Sequence, residues 1–317
     1  MDLVTFLITT YNSERWIEEC LNSVLKQSHA NLQVLIVDDG SSDSTVKLIK
    51  QISDSRIELF CKEHSGLSKS LNFAMDKING SYIARLDSDD LCDNERIEKQ
   101  ISFLKQNLSY GIIGTNFNLI DENGKQILKV RNPEKDKWIK DLMPARCSVW
   151  IGSSLMQREI IDEAGGFNEN IYSAQDWDFF LRVIDKTKFY NIQEYLTSKR
   201  IHPSNISESQ SAHQETEDIL LAYNNSIIKN SNDKVKIAKA NFNIGYYYYY
   251  ENNFNEASVF FSQAIENGGL KLQFARYKIF SKYFSVFIKF YRKYKIYKLF
   301  DWLRYFDNAN KYLRSKF

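Results

Sequence analysis

Short apolar runs alternate with amphipathic stretches along the first part of the 317-residue chain. The apolar runs have the length and the β-branched content of buried strands, whereas the stretches between them repeat their apolar residues at helical spacing. The predicted strands span 3–9, 32–37, 56–61 and 81–86, and the predicted helices span 14–27, 44–52, 67–78 and 94–106. Strands that alternate with helices predict an α/β fold with a mostly parallel, mixed sheet.

The pattern changes in the later part of the chain. Residues 127–152 show no clear period, and further helices are predicted at 157–164 and 176–186. After Asn205 the sequence is polar and then helical to its end. We therefore expect an α/β domain over 1–210 and an all-α extension over 211–317.

The predicted extension contains a possible repeat. Its small and aromatic positions have the offsets of a tetratricopeptide-like hairpin at about 238–271, although an ordinary helix pair would explain the same spacing. These positions are Gly245, Tyr248, Ala257, Phe261 and Ala264. A basic, aromatic tail follows over 272–317.

Charge separates this tail from the rest of the chain. From Lys271 to Phe317 there are thirteen Lys and Arg residues and two acids, so the preceding residues are acidic overall. On a helix, Phe284 and Phe287 would lie opposite Lys282 and Lys289. Such a tail favours contact with an anionic membrane, and an aromatic stripe in a protein core is the alternative. The acidic body argues against a nucleic-acid partner.

Compartment follows from what the sequence lacks. The four cysteines are far apart and form no CxxC pair, which favours reduced thiols. We find neither the basic and apolar regions of a signal peptide nor an apolar run of about 18 residues that could span a membrane. The expected location is the cytoplasm, with peripheral attachment to the inner face of the cell membrane.

Polar residues follow the predicted strands, at the sheet edge where α/β folds bind ligands. They occupy 10–13, 38–43 and 87–90. Because Asp87 and Asp89 stand two positions apart at the end of a strand, we expect their carboxylates to point the same way. Two such groups can hold Mn²⁺ or Mg²⁺ together with phosphate oxygens. A solvated acidic turn is the alternative.

The ordered motifs resemble those of the family-2 glycosyltransferases, which have the nucleotide-sugar-binding GT-A fold. The matching segments are TTYN at 9–12, VDDGSSDST at 37–45, ARLDSDD at 84–90, GGF at 165–167, QDWD at 175–178 and RIHPSNIS at 200–207. They cover about residues 3 to 207 in the expected order. The resemblance is greatest to bacterial enzymes that build surface polysaccharides with β-linked hexose or N-acetylhexosamine.

This resemblance implies a role for each matching residue. The nucleotide-sugar site would comprise Thr9, Tyr11, Asn12, Asp38, Asp39, Ser68, Arg85, Asp87 and Ser88. Asp39 would accept a hydrogen bond from uracil, and Asp89 would bind the metal, with Asp87 and His202 as further ligands. The implied donor is a UDP-sugar, and the expected acceptor is a lipid-linked glycan.

The resemblance also implies a catalytic base. Inverting transfer needs a group that removes the proton of the acceptor hydroxyl, and Asp176 occupies that place. The family usually has Glu-Asp here, whereas this chain has Gln175 before the aspartate. Helix capping is the structural alternative for Asp176. Trp177 is expected either to stack on an acceptor sugar or to fill the core.

Rival functions are less well supported. No G-x-G-x-x-G motif follows the first strand, which argues against a dinucleotide-dependent dehydrogenase, and no Gly-rich phosphate loop supports a nucleotidyltransferase. The remaining alternative is a non-catalytic scaffold that combines a degenerate transferase domain with a helical, partner-binding extension. Retention of Asp39, Asp87, Asp89 and Asp176 counts against that alternative.

Overall fold

The computed structural model describes residues 2–206, 210–251 and 253–268. Its first part alternates strands with helices as predicted. The elements are β1 (Val4–Thr10), α1 (Ile17–Leu25), β2 (Leu32–Asp38), α2 (Thr45–Gln51), β3 (Ile57–Cys61), α3 (Leu67–Ala74) and β4 (Tyr82–Arg85). Strand β1 lies between β2 and β4, and the pairings of β1 with β2, β2 with β3 and β1 with β4 are all parallel.

The following elements complete the sheet. They are β5 (Leu91–Cys92), α4 (Arg96–Gln106), β6 (Tyr110–Ile120), β7 (Gln126–Val130), α5 (Asp136–Leu142), β8 (Leu155–Gln157), α6 (Arg158–Ala164), α7 (Gln175–Val183) and β9 (Lys188–Arg200). Over the described residues the strand order is β3-β2-β1-β4-β8-β6-β9-β5, with β7 beside β6. Because β8 is antiparallel to β4 and β6, whereas β6 and β9 are parallel, the sheet is mixed.

A buried arginine joins the helical layer to the site-bearing edge of the sheet. Arg96 of α4 is fully buried and donates to the backbone oxygens of Arg85 and Ser154, at 2.9 Å each. Burial lowers its pKa to about 10. Arg96 thereby fixes the end of β4. The surrounding core includes Phe6, Ile36 and the buried face of α1.

Three helices follow the sheet: α8 (Gln210–Asn230), α9 (Lys234–Tyr250) and α10 (Phe254–Gly268). By their contacts the described residues divide into two compact units, with the division between Tyr223 and Asn224, inside α8. The expected domain bounds of 1–210 and 211–317 stay a prediction. None of the helices in the described ranges is long and apolar enough to cross a bilayer.

Helices α9 and α10 form a pair at the position of the predicted hairpin. Ala257, Phe261 and Ala264 are fully buried, and a Cβ atom on Gly245 would lie 2.8 Å from the Phe261 ring. The small residue at 245 thus lets the two helices approach closely. The tetratricopeptide-like character stays a prediction, and the basic tail over 272–317 lies outside the described residues.

Candidate active site

The ends of β1, β2 and β4 bring three of the predicted motifs to one edge of the sheet. Asn12 has a left-handed φ of 51°, a conformation that asparagine tolerates better than most residues. Its backbone N–H donates to Ser41 Oγ at 2.9 Å, and its side-chain oxygen accepts from Ser42 N at 2.8 Å. The hydroxyls of Ser13 and Ser88 lie 2.8 Å apart. Asn12 and Ser88 therefore hold the loops of the site together.

Asp38 shapes the turn after β2. Its Oδ2 atom accepts hydrogen bonds from the backbone of Gly40 at 3.2 Å and of Ser41 at 3.0 Å. Its other carboxylate oxygen is buried and has no hydrogen-bond partner among the described residues. The Oδ2 atom of Asp38 thus stabilises the turn, and the Oδ1 atom accepts no hydrogen bond from the described residues.

Asp39 is a buried carboxylate that receives many hydrogen bonds. Its Oδ1 atom accepts from Lys62 Nζ at 2.6 Å and from Ser70 Oγ at 2.7 Å, and Oδ2 accepts from Gly66 N at 2.8 Å. Burial alone would raise the pKa of Asp39, but these hydrogen bonds together lower it. Asp39 therefore stays ionised at neutral pH.

An accessible aromatic surface lies beside Asp39. The ring of Tyr11 is 48% exposed and stacks on His64, with 4.3 Å between the ring centroids. His64 Nδ1 lies 2.9 Å from Asp39 Oδ2. Thr9, in β1, is partly exposed.

Lys62 and His64 were not among the predicted site residues. Neither belongs to a recognisable motif, and only the fold of the loop after β3 places them against Asp39.

The acidic cluster after β4 differs from the prediction. Strand β4 ends at Arg85, so Asp87 and Asp89 lie in a turn, and the alternation of a strand does not govern their direction. Asp87 Oδ1 accepts from the buried Arg85 guanidinium at 2.8 Å, whereas Asp89 Oδ2 lies 2.8 Å from His202 Nε2. The premise that strand geometry sets the direction of both carboxylates is therefore wrong, and a shared direction of the two side chains stays a prediction.

Asp89 and His202 lie close enough together to be considered as ligands of one metal ion. No group of three His, Cys, Asp or Glu side chains with metal-binding geometry occurs in the described ranges. Mg²⁺ and similar ions are commonly held by one or two carboxylates together with substrate phosphates and water. Asp89 and His202 fit that arrangement, in which substrate oxygens complete the coordination.

Two residues outside the predicted set fix His202 and the acidic turn. The Trp16 ring stacks on His202 with 4.1 Å between centroids. Arg200 is buried, and it donates from its backbone to Asp90 Oδ1 at 2.7 Å and from Nε to the Asp89 carbonyl at 2.8 Å. Arg200 opens the matching segment 200–207, so that motif was the signal that could have identified it.

Asp176 lies in the first turn of α7, and its Oδ1 accepts from Trp177 N at 2.8 Å. Burial raises its pKa to about 6, and repulsion from Asp87 adds to the increase, while Lys199 acts in the opposite direction. A carboxylate with a pKa near the working pH is well suited to act as a general base.

Two predicted ligand contacts have structural partners instead. Trp177 is 4% exposed and donates its Nε1–H to the Met143 carbonyl at 2.7 Å, which favours the core alternative over stacking on an acceptor. Ser68 is buried and donates to the Ile171 carbonyl at 2.8 Å. In this conformation Ser68 supports the loop before α7 rather than facing an open nucleotide site, because its hydroxyl is enclosed and occupied.

Sequence comparison identifies relatives of the chain. Residues 5–164 match the model of the family described as "Glycosyl transferase family 2". The O-antigen biosynthesis glycosyltransferase WbnJ of Escherichia coli is 27% identical over 68% of this chain and 86% of its own. An uncharacterised glycosyltransferase of Rickettsia bellii is 31% identical over 67% of this chain, and the match spans 32% of that longer protein.

Structural comparison finds similar folds. The crystal structure of S. aureus TarS 1–349 in complex with UDP-GlcNAc has a TM-score of 0.65 and 16% identity, over 83% of this chain and 82% of that one. A mannosyltransferase from Pyrobaculum calidifontis, in complex with GDP-Man and Mn²⁺, has a TM-score of 0.56 and 15% identity, over 88% of this chain and 84% of that one. At such low identity the likeness shows a shared fold.

Proposed function

The chain belongs to glycosyl transferase family 2, and we propose that it is a metal-dependent, inverting enzyme that transfers a hexose or N-acetylhexosamine from a UDP-sugar to a hydroxyl of a glycan. The observation that carries this proposal is the arrangement of carboxylates after β2, after β4 and in α7. Asp39 is held ionised, Asp89 pairs with His202, and Asp176 has a raised pKa. The name of the E. coli relative supports a role in surface polysaccharide synthesis.

Tyr11 and Asp39 are suited to bind the nucleobase. The exposed Tyr11 ring offers a stacking surface, and an ionised carboxylate accepts a hydrogen bond from a ring N–H. The UDP-GlcNAc bound to TarS supports a uridine donor. Both oxygens of Asp39 already have partners, and His64 is more exposed than Lys62, the other side chain paired with this carboxylate. We expect the uracil N–H to replace the His64 contact.

Asp89 and His202 are suited to hold the cation, with Trp16 behind the imidazole. A divalent cation at this position would neutralise the charge that develops on the diphosphate as it leaves. Asp87 remains paired with Arg85. Its role is therefore to add negative charge near the cation, and Asp89 is the carboxylate that binds the cation. Mn²⁺ in the Pyrobaculum neighbour supports metal use, and either Mn²⁺ or Mg²⁺ suits these ligands.

Asp176 supplies the proton-transfer step. As the acceptor oxygen forms a bond to the anomeric carbon, the bond from that carbon to the diphosphate oxygen breaks on the opposite face. The acceptor proton passes to the Asp176 carboxylate, and the anomeric configuration is inverted. Partial burial raises the pKa of Asp176 to about 6, which keeps the base mostly ionised at neutral pH but strong enough to take the proton.

A lipid-linked acceptor at the inner face of the cell membrane would suit the basic, aromatic tail. The proposal rests on sequence composition, since this tail lies outside the described residues. Electrostatic attraction to anionic lipid would concentrate the enzyme where such an acceptor is found.

A donor screen tests the proposed function. We expect transfer from one or more UDP-sugars to a glycan acceptor, loss of transfer in excess EDTA, and recovery with Mn²⁺ or Mg²⁺. NMR of the product should show the anomeric configuration opposite to that of the donor. Retention of configuration, or full activity in EDTA, would contradict the mechanism. Absence of UDP-sugar binding and turnover would favour the non-catalytic scaffold.

A further inference from the structure

The loop that leads into α7 is held by a residue from outside the catalytic motifs. Glu215 of α8 accepts hydrogen bonds from the backbone N–H of Tyr172 at 2.9 Å and of Ser173 at 2.7 Å. The hydroxyl of Ser173 also donates to Glu215, at 2.6 Å. All these residues belong to the unit Met1–Tyr223. A single carboxylate therefore fixes consecutive residues just before the helix that carries Asp176.

Helix α7 lacks a local cap, which explains why a distant carboxylate is useful there. The N-cap residue is Ala174, which has no side-chain oxygen to accept a hydrogen bond from the first turn. Asp176 itself accepts from Trp177 N. Glu215 adds a negative charge near the positive end of the helix dipole and receives the N–H groups that precede the first turn.

Earlier residues of the same loop are held by α3. Ser68 donates to the Ile171 carbonyl at 2.8 Å, while Asn72 binds both the N–H and the carbonyl of Phe167 at 2.9 Å each. The carbonyl and N–H groups of the loop are thus bound by side chains from two different elements. The backbone before Asp176 is therefore anchored by hydrogen bonds to α3 and to α8.

We propose that Glu215 is a positioning residue for the transfer reaction, which holds the loop before α7 so that the Asp176 carboxylate meets the acceptor hydroxyl. This inference rests on the proposed function, since it assigns Asp176 as the base. It extends the catalytic machinery into α8, beyond the residues 5–164 that match the family model.

The charge of Glu215 suits this role. Burial alone would raise the pKa of Glu215, but hydrogen bonds from Ser173 and from the backbone of Tyr172, Ser173 and Ala174 lower it. The carboxylate therefore stays ionised throughout the pH range in which Asp176 can act as a base.

The test compares Glu215→Gln with three further variants of the full chain. The amide places an N–H₂ group against backbone donors, so it removes at least one hydrogen bond and repels the loop. Because misplacing a reacting group by 1 Å can cost about 10²-fold, we expect kcat to fall between about 10- and 100-fold. The dissociation constant of UDP should stay within about twofold, since Glu215 contacts none of the proposed nucleotide residues.

Matched variants separate positioning from general damage. Ser173→Ala removes one hydrogen bond and should give a smaller decrease in kcat, even if Glu215→Gln folds poorly. Asp218→Asn removes a charge from the same helix, where Asp218 is exposed and accepts from Gln214, and it should behave as wild type. Glu215→Asp keeps the charge with a shorter reach and should fall between wild type and Glu215→Gln.

Two outcomes would overturn the inference. The first is a Glu215→Gln variant with kcat within twofold of wild type. The second is a parallel loss of UDP affinity and kcat in both Glu215→Gln and Ser173→Ala, which would assign the contact to the fold as a whole. A wild-type chain without transfer activity would instead contradict the proposed function, so the two failures are distinguishable.

Discussion

The pKa of Asp176 connects its burial and its charged neighbours with its proposed role as the base. Partial burial and the nearby Asp87 raise its pKa to about 6. A base acts in its ionised form, so kcat should fall about tenfold for each pH unit below that value and level off above it. The measurement is a kcat profile between pH 4.5 and 8 at saturating donor. A profile that is flat across pH 6 would remove Asp176 from the role of base.

Replacement of the same residue tests the chemistry directly. Asp176→Asn should bind UDP with unchanged affinity and lose about 10²- to 10⁴-fold in kcat, the usual contribution of a general base. Asp178→Asn is the matched control in the same helix turn. Asp178 pairs with Arg182 and has no proposed part in the proton transfer, so this variant should lose much less activity. Activity above about half of wild type in Asp176→Asn would leave the residue as a helix-capping group.

The raised pKa of Asp176 also predicts an effect on stability. A folded-state pKa above 3.8, the ordinary value of an aspartate, means that ionisation is less favourable in the folded state, and this cost is fully present above about pH 6. Asp176→Asn avoids the cost and keeps an oxygen to accept from Trp177 N. We expect the variant to be more stable at pH 7.5, by at most roughly 3 kcal/mol, and no more stable than wild type near pH 3.5. Urea denaturation at the two pH values measures the difference.

The pairing of Asp89 with His202 makes a separate prediction about metal. Asp89→Asn removes a charged ligand and should raise the Mn²⁺ concentration needed for half-maximal activity by at least about tenfold, because ligand charge sets affinity for hard cations. His202→Ala should shift the same titration in the same direction. Asp76→Asn, at an exposed position, is the control. An unchanged Mn²⁺ titration in both site variants would place the cation elsewhere.

At the scale of elements, the end of α6 provides a matched pair of glycines. Gly165 and Gly166 have φ values of 70° and 75°, which side chains rarely adopt. A Cβ atom on Gly165 would meet nothing within 4 Å, whereas one on Gly166 would lie 2.7 Å from Asn72 Oδ1. Asn72 in turn binds the backbone of Phe167.

These contacts predict different costs for the two alanine variants. Gly165→Ala should lower the free energy of unfolding by about 1 to 2 kcal/mol, the cost of the left-handed conformation alone. Gly166→Ala should lower it further, and it should also reduce kcat because it displaces the Asn72 contact that holds the loop before α7. Chemical denaturation and a transfer assay measure both effects. Equal losses in the two variants would show that Asn72 moves aside without consequence.

Elements of the sheet differ in how far their sequence predicted them. The strands β1 to β4 are short runs dominated by apolar residues, and all four were predicted. The strands β6 to β9 were not predicted. Asn191 illustrates the reason: it is fully buried in β9 and donates to the Pro133 and Ser148 carbonyls, at 2.7 and 3.0 Å. A buried polar residue of this kind interrupts the alternation on which the prediction depends.

At the scale of the whole molecule, the basic tail predicts reversible attachment to membranes. Each basic residue near an anionic surface contributes on the order of 1 kcal/mol, and the attraction weakens as salt screens it. Reversing the charge of Lys282, Lys289, Arg292 and Lys293 to Glu should release the protein from anionic vesicles and leave transfer to a soluble acceptor largely intact.

Vesicle flotation at two salt concentrations measures this attachment. Neutral vesicles are the control, since the aromatic residues alone should not hold the protein there. Wild-type protein that fails to float with anionic vesicles at low salt would return the aromatic stripe to the alternative of a packed core.

The sequence by itself determined the fold class and the family of this protein. Strand and helix periods are local properties, and the ordered motifs lie at the ends of those strands, so the GT-A fold and family 2 could be predicted and are confirmed. The sequence also identified the carboxylates of Asp39, Asp87, Asp89 and Asp176 as candidate site residues, because they lie within those motifs.

Only the tertiary structure decided what those side chains contact. The pairing of Asp89 with His202, the hydrogen bonds from Ser173 to Glu215 and the enclosure of Trp177 join residues that are far apart in the chain or depend on surrounding elements. The pKa of Asp176 likewise depends on how much water the fold removes and which charges it brings near. These properties come from distances and burial, which a residue pattern does not contain.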